Sequence, residues 1–187
     1  MMDGTATVLP NELALVARAT AEPAAFAAIY DHYFPRVYNY VRYRVQDAEA
    51  ADDVTAQVFE RALVNIGRFS PERAPFAAWL FAIARNAAND YLRAQRRRRW
   101  LSLQVLRDWA SAEPQPEEVV IRDETRAELL ASLARLSDRE RDLIALKFAA
   151  GLTNRHIAEL TGLGASNVGV ILYRAVRRLR AELSAKE

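Results

Sequence analysis

The segment from residue 152 to residue 180 contains two short helical patterns separated by one tight turn. In the first pattern Ile157, Ala158 and Leu160 form an apolar side, which a Gly-Leu-Gly sequence at 162–164 then interrupts. In the second pattern apolar residues recur at spacings of three and four, as one buried face of an α-helix requires. They are Val168, Ile171, Leu172, Ala175 and Leu179. The segment therefore predicts a helix-turn-helix.

The opposite side of the second helix is polar and basic. It carries Ser166, Asn167, Arg174, Arg177, Arg178 and Arg180. A helix-turn-helix protein places such a helix in the major groove, where early residues reach base edges and flanking basic residues meet phosphates. The same spacing also occurs in helical hairpins whose basic face is only solvated. The segment alone leaves both interpretations open.

Helical periodicity also dominates the first hundred residues. Long apolar patterns cover residues 26–45, 48–66 and 76–99, and no β-alternation of any length occurs. Pro35 predicts a kink or a break near Phe34. The second pattern predicts a buried stripe of Val54, Val58, Phe59, Ala62, Leu63 and Ile66. The third predicts core positions at Trp79, Leu80, Ile83, Ala87, Tyr91 and Leu92.

A second group of helices is predicted towards the C-terminus. The first covers residues 121–136, and Ser137-Asp138-Arg139-Glu140 then forms a capping box that starts the next. We expect that next helix to bury Leu143, Ile144, Leu146 and Phe148 and to end at Gly151. Thr153 then caps the first helix of the helix-turn-helix.

A linker separates the two groups of helices. The stretch SAEPQPEEVV at residues 111–120 holds two prolines and three glutamates without apolar periodicity. The sequence thus predicts an all-α protein with two helical domains joined by a flexible acidic linker. The predicted parts are an N-terminal extension (1–20), a first domain (21–100), the linker (101–120) and a second domain (121–187).

Charge is segregated along the chain. Residues 85–99 contain six arginines and one aspartate, residues 165–180 contain four arginines and no acid, and residues 47–60 contain five acids and no base. Such segregation indicates separate surfaces, of which the basic ones suit polyanions. The acids of the second helix suit either the positive end of the helix dipole or a protein partner, and nothing local decides between the two.

Several function classes are excluded or disfavoured. The chain has no cysteine, which excludes disulfides and thiolate metal sites. It has no Gly-rich phosphate loop, and His32 and His156 stand apart from each other and from other ligands. We therefore predict no catalytic residues, no metal, no cofactor and no enzyme. No apolar run is long enough to span a bilayer and no secretion signal is present, so a cytoplasmic location is expected.

Four stretches carry a family resemblance. They are FAAIYDHYFPRVYNYV (26–41), DAEAADDVTAQVFERAL (47–63), RFSPERAPFAAWLFAIARNAANDYLRAQRRRR (68–99) and LARLSDRERDLIALKFAAGLTNRHIAELTGLGASNVGVILYRAVRRLR (133–180). Their order and spacing resemble the group IV, or extracytoplasmic function (ECF), sigma factors of bacterial RNA polymerase. The first three resemble sigma region 2 and the last resembles region 4, with no region 3 domain between them.

The resemblance implies roles for the first domain. Its second helix corresponds to the family's docking site for the β′ clamp helices of core polymerase, which points to Asp52, Asp53, Gln57, Glu60 and Arg61. The loop at residues 70–76 and the polar face of the third helix correspond to the family's site for the melted −10 element. On that face Asn86, Asn89 and Asp90 would receive bases, and Arg93, Arg96 and Arg97 would hold phosphates.

The resemblance also implies that the second domain binds the −35 element and the β flap. The family often has Lys or Arg, then Ser, then Arg where Gly169, Val170 and Ile171 stand here. Recognition is therefore expected either from Ser166, Asn167, Tyr173 and Arg174, beside Arg177 and Arg178, or from the shape of the DNA backbone. The implied partners are core RNA polymerase, promoter DNA and an anti-sigma factor.

Two other interpretations fit the residues. One is a stand-alone helix-turn-helix regulator, which would bind a palindrome as a dimer and have no use for a polymerase-docking helix. The other is a helical interaction protein whose basic faces are only solvated.

Overall fold

The computed structural model describes residues 9–105 and 124–184, and all of its regular elements in these ranges are helical. The α-helices are α1 (Glu12–Ala21), α2 (Phe26–Val45), α3 (Ala48–Asn65), α4 (Phe76–Val105), α5 (Glu124–Ala134), α6 (Asp138–Ile144), α7 (Asn154–Thr161) and α8 (Ala165–Ser184). The prediction of an all-α fold is confirmed.

The N-terminal unit, residues 9–105, is a bundle in which α2, α3 and α4 pack against one another and α1 lies against α2. Fully buried side chains from the three long helices fill its centre: Ile29, Val37, Val41, Val54, Val58, Leu80 and Phe81. A side-chain cap defines the start of α3, since the Asp47 carboxylate accepts a hydrogen bond of 2.7 Å from the Ala50 backbone N–H.

Two details of the N-terminal unit differ from expectation. Of the kink or break predicted near Phe34, a break does not occur, because α2 runs unbroken through Pro35. Because Pro35 has no N–H, the Asp31 carbonyl lacks its helical hydrogen-bond donor. Both residues are exposed, so water can replace the missing hydrogen bond. Leu63 is 37% exposed and does not belong to the buried stripe of α3.

Helix α4 is longer than the sequence predicts. It continues to Val105, so the first five residues of the predicted linker are helical. The apolar periodicity ends earlier than the helix because α4 leaves the bundle core at its basic end, where Arg96 and Arg97 are exposed. The rest of the predicted linker, residues 106–120, lies outside the described residues.

The C-terminal unit, residues 124–184, contains α5 to α8. The predicted capping box is confirmed: the Ser137 hydroxyl accepts from the Glu140 N–H at 3.3 Å, and the Glu140 carboxylate accepts from the Ser137 N–H at 2.9 Å. After α6 the chain forms a π-helical turn over Ala145–Ala149. That turn changes the angular position of the residues it contains, and Phe148 is 62% exposed rather than buried as predicted.

One buried carboxylate joins the two units. Asp142 of α6 accepts a 2.9 Å hydrogen bond from the Tyr40 hydroxyl and forms ion pairs with Arg44 at 3.2 Å and Arg85 at 2.8 Å. The Asp142 and Arg44 side chains are only 8% and 4% exposed. Burial, followed by the Asp142 charge, raises the pKa of the Tyr40 hydroxyl, which stays protonated as the donor. We call these four residues the Asp142 network.

Further bonds between the units surround this network. The Arg85 guanidinium also donates to the Leu160 carbonyl at 2.9 Å, and Arg44 donates to the Asp138 carbonyl at 3.1 Å. Arg36 donates to the Ala150 carbonyl. These donors come from α2 and α4, and their acceptors lie in α6, in α7 and at Ala150, which precedes α7. The two units are therefore held by directional bonds as well as by apolar contact.

Replacement of Asp142 tests how much this network contributes to the stability of the protein. Asp142→Ala leaves Arg44 buried without a counter-charge, so the free energy of unfolding should fall by about 3–5 kcal/mol. The measurement is urea denaturation of the full chain. Asp52→Ala, which removes an exposed acid, is the matched control and should change stability by less than about 0.5 kcal/mol. Equal losses in the two variants would show that the network contributes little.

Candidate nucleic-acid interface

Helices α7 and α8 form the predicted helix-turn-helix. The Thr153 hydroxyl caps α7 by accepting from the His156 N–H at 3.2 Å. Gly162 ends α7 with a φ of 73°, a left-handed conformation in which a side chain would be strained. The buried side of α8 consists of Val168, Leu172, Ala175 and Leu179, which packs the helix against α6 and α7.

The six residues predicted to read the −35 element all lie on the exposed side of α8. They are Ser166, Asn167, Tyr173, Arg174, Arg177 and Arg178. The structure thus brings them together on one helix face. The Arg177 guanidinium lies over the Tyr173 ring, 5.8 Å from its centroid, which orients both side chains.

Arg178 forms an ion pair with a residue of another helix. It donates to the Glu140 carboxylate at 3.2 Å and so ties α8 to the cap of α6. Burial raises the pKa of Glu140, but hydrogen bonds from Ser137 and the charge and hydrogen bond of Arg178 outweigh it and lower the pKa overall. Arg178 therefore braces the recognition helix.

A cleft on α4 collects four of the six residues predicted for the −10 element. Asp90, Arg93, Arg96 and Arg97 line an open cavity of about 460 Å³. Asp90 pairs with Arg93 at 3.2 Å and, from α3, with Arg61 at 3.5 Å. Arg96 pairs with Asp138 of the C-terminal unit. With three arginines and one carboxylate the cleft is net basic, which suits a phosphate chain.

The remaining two predicted residues, Asn86 and Asn89, lie elsewhere. Asn89 is half-buried, and its side-chain carbonyl accepts a 2.8 Å hydrogen bond from Arg44. This bond links it to the Asp142 network rather than to the cleft. Asn86 is exposed and lines a second cavity, of about 290 Å³, whose other lining residues are Arg61, Asn65, Arg68, Trp79 and Ile83.

This second cavity contains residues that the sequence did not single out for binding. Trp79 was expected only in the core, yet it is half-buried and lines the cavity while also packing on Phe69 and Phe76. Arg68 comes from the 3₁₀ turn Ile66–Arg68 that follows α3. An aromatic side chain, an amide and arginines on one wall are the groups that stack on and hold single-stranded bases. The sequence feature that could have indicated this cavity is the presence of Arg68 ahead of α4 together with Trp79 on the first turn of α4.

The five residues predicted for polymerase docking are all exposed on α3: Asp52, Asp53, Gln57, Glu60 and Arg61. They spread over the solvent side of the helix. Arg61 is at the edge of this set, since it pairs with Asp90 of α4 and lines the cavity beside Asn86. The docking surface and the candidate DNA surface of the N-terminal unit are therefore adjacent.

Two further findings concern residues 9–105 and 124–184 only. No group of three or more histidine, cysteine, aspartate or glutamate side chains is placed to hold a metal ion there. Every helix in these ranges is also too short or too polar to cross a lipid bilayer.

The fold and the site define a class. An all-helical chain with a helix-turn-helix in one unit and a basic, aromatic-lined surface in the other is a two-part nucleic-acid-binding protein. Residues 29–98 match the family description Sigma-70 region 2, and residues 126–179 match Sigma-70, region 4. The chain belongs to the ECF RNA polymerase sigma factors of the sigma-70 family.

Relatives of this family match most of the chain. It is 33% identical over 168 residues to the ECF sigma factor RpoE of Cereibacter sphaeroides, covering 87% of this chain and 88% of that protein. It is 36% identical over 166 residues to the ECF sigma factor BldN of Streptomyces coelicolor, covering 88% of this chain but 63% of that longer protein.

A solved structure has the same fold. It is a Bartonella quintana sigma factor RpoE in complex with the anti-sigma factor NepR. The TM-score is 0.65 at 21% identity, and the match covers 87% of this chain and 98% of that one.

The Glu140 contacts generate a prediction about pH. The pKa of Glu140 is lower in the folded protein than in the unfolded chain. The ionised carboxylate therefore stabilises the fold at pH values above the ordinary glutamate pKa. This stabilisation is lost as the pH falls through the lowered pKa. Glu140→Gln keeps an acceptor for the capping box but loses the charge that faces Arg178, so it should cost up to about 1 kcal/mol at neutral pH. The difference from the unmodified protein should shrink as the pH falls below about 4.

Thermal or urea unfolding across a pH series measures this difference. Glu159→Gln is the control, since Glu159 pairs with Arg155 on the exposed side of α7 at 3.2 Å and caps nothing. Its loss should cost less than about 0.5 kcal/mol. A Glu140→Gln difference that is the same at all pH values would contradict the assigned role of the carboxylate.

Proposed function

We propose that this protein is a non-catalytic subunit that gives bacterial core RNA polymerase its promoter specificity. The C-terminal unit binds the −35 element as duplex through the exposed face of α8. The N-terminal unit holds the melted −10 strand on α4, with Arg93, Arg96 and Arg97 at the phosphates. The exposed side of α3 docks on the β′ clamp helices, and the C-terminal unit meets the β flap. The site of action is the cytoplasm, where polymerase and promoter DNA lie.

One observation supports this proposal most strongly. The same chain presents two separate DNA-suited surfaces of different kinds. The face of α8 is convex and hydrogen-bonding, as duplex recognition requires. The surface of α4 has cavities lined by arginines, an asparagine and Trp79, as single-strand binding requires. A stand-alone regulator needs only the first surface.

The packed arrangement of the two units has a consequence for this function. Arg96 is paired with Asp138. Contact of Arg96 with DNA requires that this pair be exchanged for a phosphate. We infer that the two units separate when the protein takes its place on polymerase and promoter, and that the arrangement described is the unbound one. An anti-sigma factor is a further proposed partner, as the Bartonella protein has one.

Transcription with purified components tests the proposal. The full chain is mixed with core polymerase and fragmented genomic DNA, and the 5′ ends of the transcripts are mapped. Transcripts that start at defined sites only when the chain is present are the expected result. DNA binding without core and without defined starts would instead favour the stand-alone regulator. Neither activity would favour a helical interaction protein.

The α4 cleft gives a quantitative prediction. Arg93→Gln combined with Arg97→Gln removes two cations from the cleft, so promoter binding by the polymerase complex should weaken and depend less on salt. The slope of log K against log salt should become shallower by about 1.4, from two lost single-strand phosphate contacts. The measurement is a salt titration of promoter binding.

Arg18→Gln is the control for this titration. Arg18 is an exposed arginine on α1 that pairs with Glu22 at 3.3 Å. Its replacement should leave the salt slope unchanged. An unchanged slope in the double variant as well would remove the cleft from the DNA-binding surface.

A further inference from the structure

The recognition helix carries an exposed aliphatic residue, Val170, in the middle of its polar face. Of the three positions where the family often has hydrophilic side chains, Gly169 and Ile171 are half-buried, with Gly169 close to Asn154 and Ile171 packed on the core. Val170 alone points outwards, with 47% of its surface exposed. No packing role within the C-terminal unit accounts for an apolar side chain there.

The position of Val170 on the helix is central. At 3.6 residues per turn, the residues predicted to read DNA lie within about 60° of Val170 on either side. They are Ser166, Asn167, Tyr173, Arg174 and Arg177, and all are exposed. The buried residues Val168, Leu172, Ala175 and Leu179 lie on the opposite side of α8. A ligand that contacts the hydrogen-bonding and cationic side chains of this face therefore also contacts Val170, at the centre of the contact area.

We propose that Val170 recognises a thymine in the −35 element through the C5 methyl group. This inference rests on the proposed function of α8. The surrounding arginines select a polyanion, and among the groups that a DNA major groove presents, the thymine methyl is the apolar one. A valine in the first two turns of a recognition helix, flanked by side chains that bond base edges, matches that group in position and chemistry.

The thermodynamic effect of this contact is modest and measurable. Removal of a methyl group from an apolar contact costs roughly a factor of four in a binding constant. The valine contributes two methyl groups, and the thymine contributes one. Uracil lacks the C5 methyl but keeps the hydrogen-bonding groups of thymine, so replacement of thymine by uracil isolates the contact.

The experiment uses promoters whose start sites have been mapped with the full chain and core polymerase. In each synthetic −35 element, one thymine at a time is replaced by uracil, and binding of the polymerase complex is measured. One position should show about fourfold weaker binding. With Val170→Ala the same replacement should change binding by much less, and Val170→Thr, which keeps one methyl, should give an intermediate effect.

Leu13→Ala is the control. Leu13 is also an exposed aliphatic residue, 56% accessible, but it lies on α1, outside the residues proposed to contact DNA or polymerase. This variant should retain the full sensitivity to uracil. Since Val170 and Leu13 are both exposed, neither alanine variant is expected to disturb the fold.

The outcomes separate this inference from the proposed function. Suppose that transcripts start at defined sites. If no uracil replacement weakens binding, or if Val170→Ala remains as sensitive to uracil as the unmodified protein, the thymine contact is overturned. The sigma function stands in both cases. If Val170→Ala weakens the complex with core polymerase without altering the effect of uracil, Val170 faces a protein and the inference is overturned. The absence of defined start sites overturns both.

Discussion

The two units of this protein depend on one buried carboxylate for their mutual position. Asp142 lies where α2, α4 and α6 meet and satisfies Tyr40, Arg44 and Arg85 together. Arg44 is nearly inaccessible, and a buried guanidinium is tolerated only when it is paired and hydrogen-bonded. Its two terminal nitrogens donate to the Asp138 carbonyl and to Asn89, while Nε pairs with the Asp142 carboxylate by charge. The pairing of Asp142 with Arg44 and Arg85 therefore fixes the position of α6 relative to α2 and α4.

This arrangement links the interface between the units to the candidate DNA surface. Asn89 belongs to the face of α4 that the family uses for the −10 element, yet it is held by Arg44. Arg96 belongs to the basic cleft, yet it is paired with Asp138. Ion pairs at an exposed edge exchange readily with phosphates, because each contributes little net stability in water. Arg96 is thus easily released, whereas Asn89 is released only if the buried network rearranges.

Much of the fold and part of the site were predictable from local patterns. The capping box at Ser137, the cap at Thr153 and the turn at Gly162 depend on neighbours within four residues and were found from the sequence. Among the expectations that failed, two failed for the opposite reason. Phe148 is exposed because a π-helical turn shifts the helical period, and α2 does not break at Pro35 because the freed carbonyl faces solvent. Neither effect can be read from apolar spacing.

The sequence by itself determined the helical class, the two-unit order and the exposed face of the recognition helix, since all three follow from periodicity and local capping. Only the tertiary structure decided which charged residues meet. It pairs Asp142 with Arg44 and Arg85, which lie 98 and 57 positions earlier in the chain. It also places Trp79 on the wall of a cavity beside Asn86. Pairings of this kind depend on how helices cross, and helix packing has no signature in the spacing of single residues.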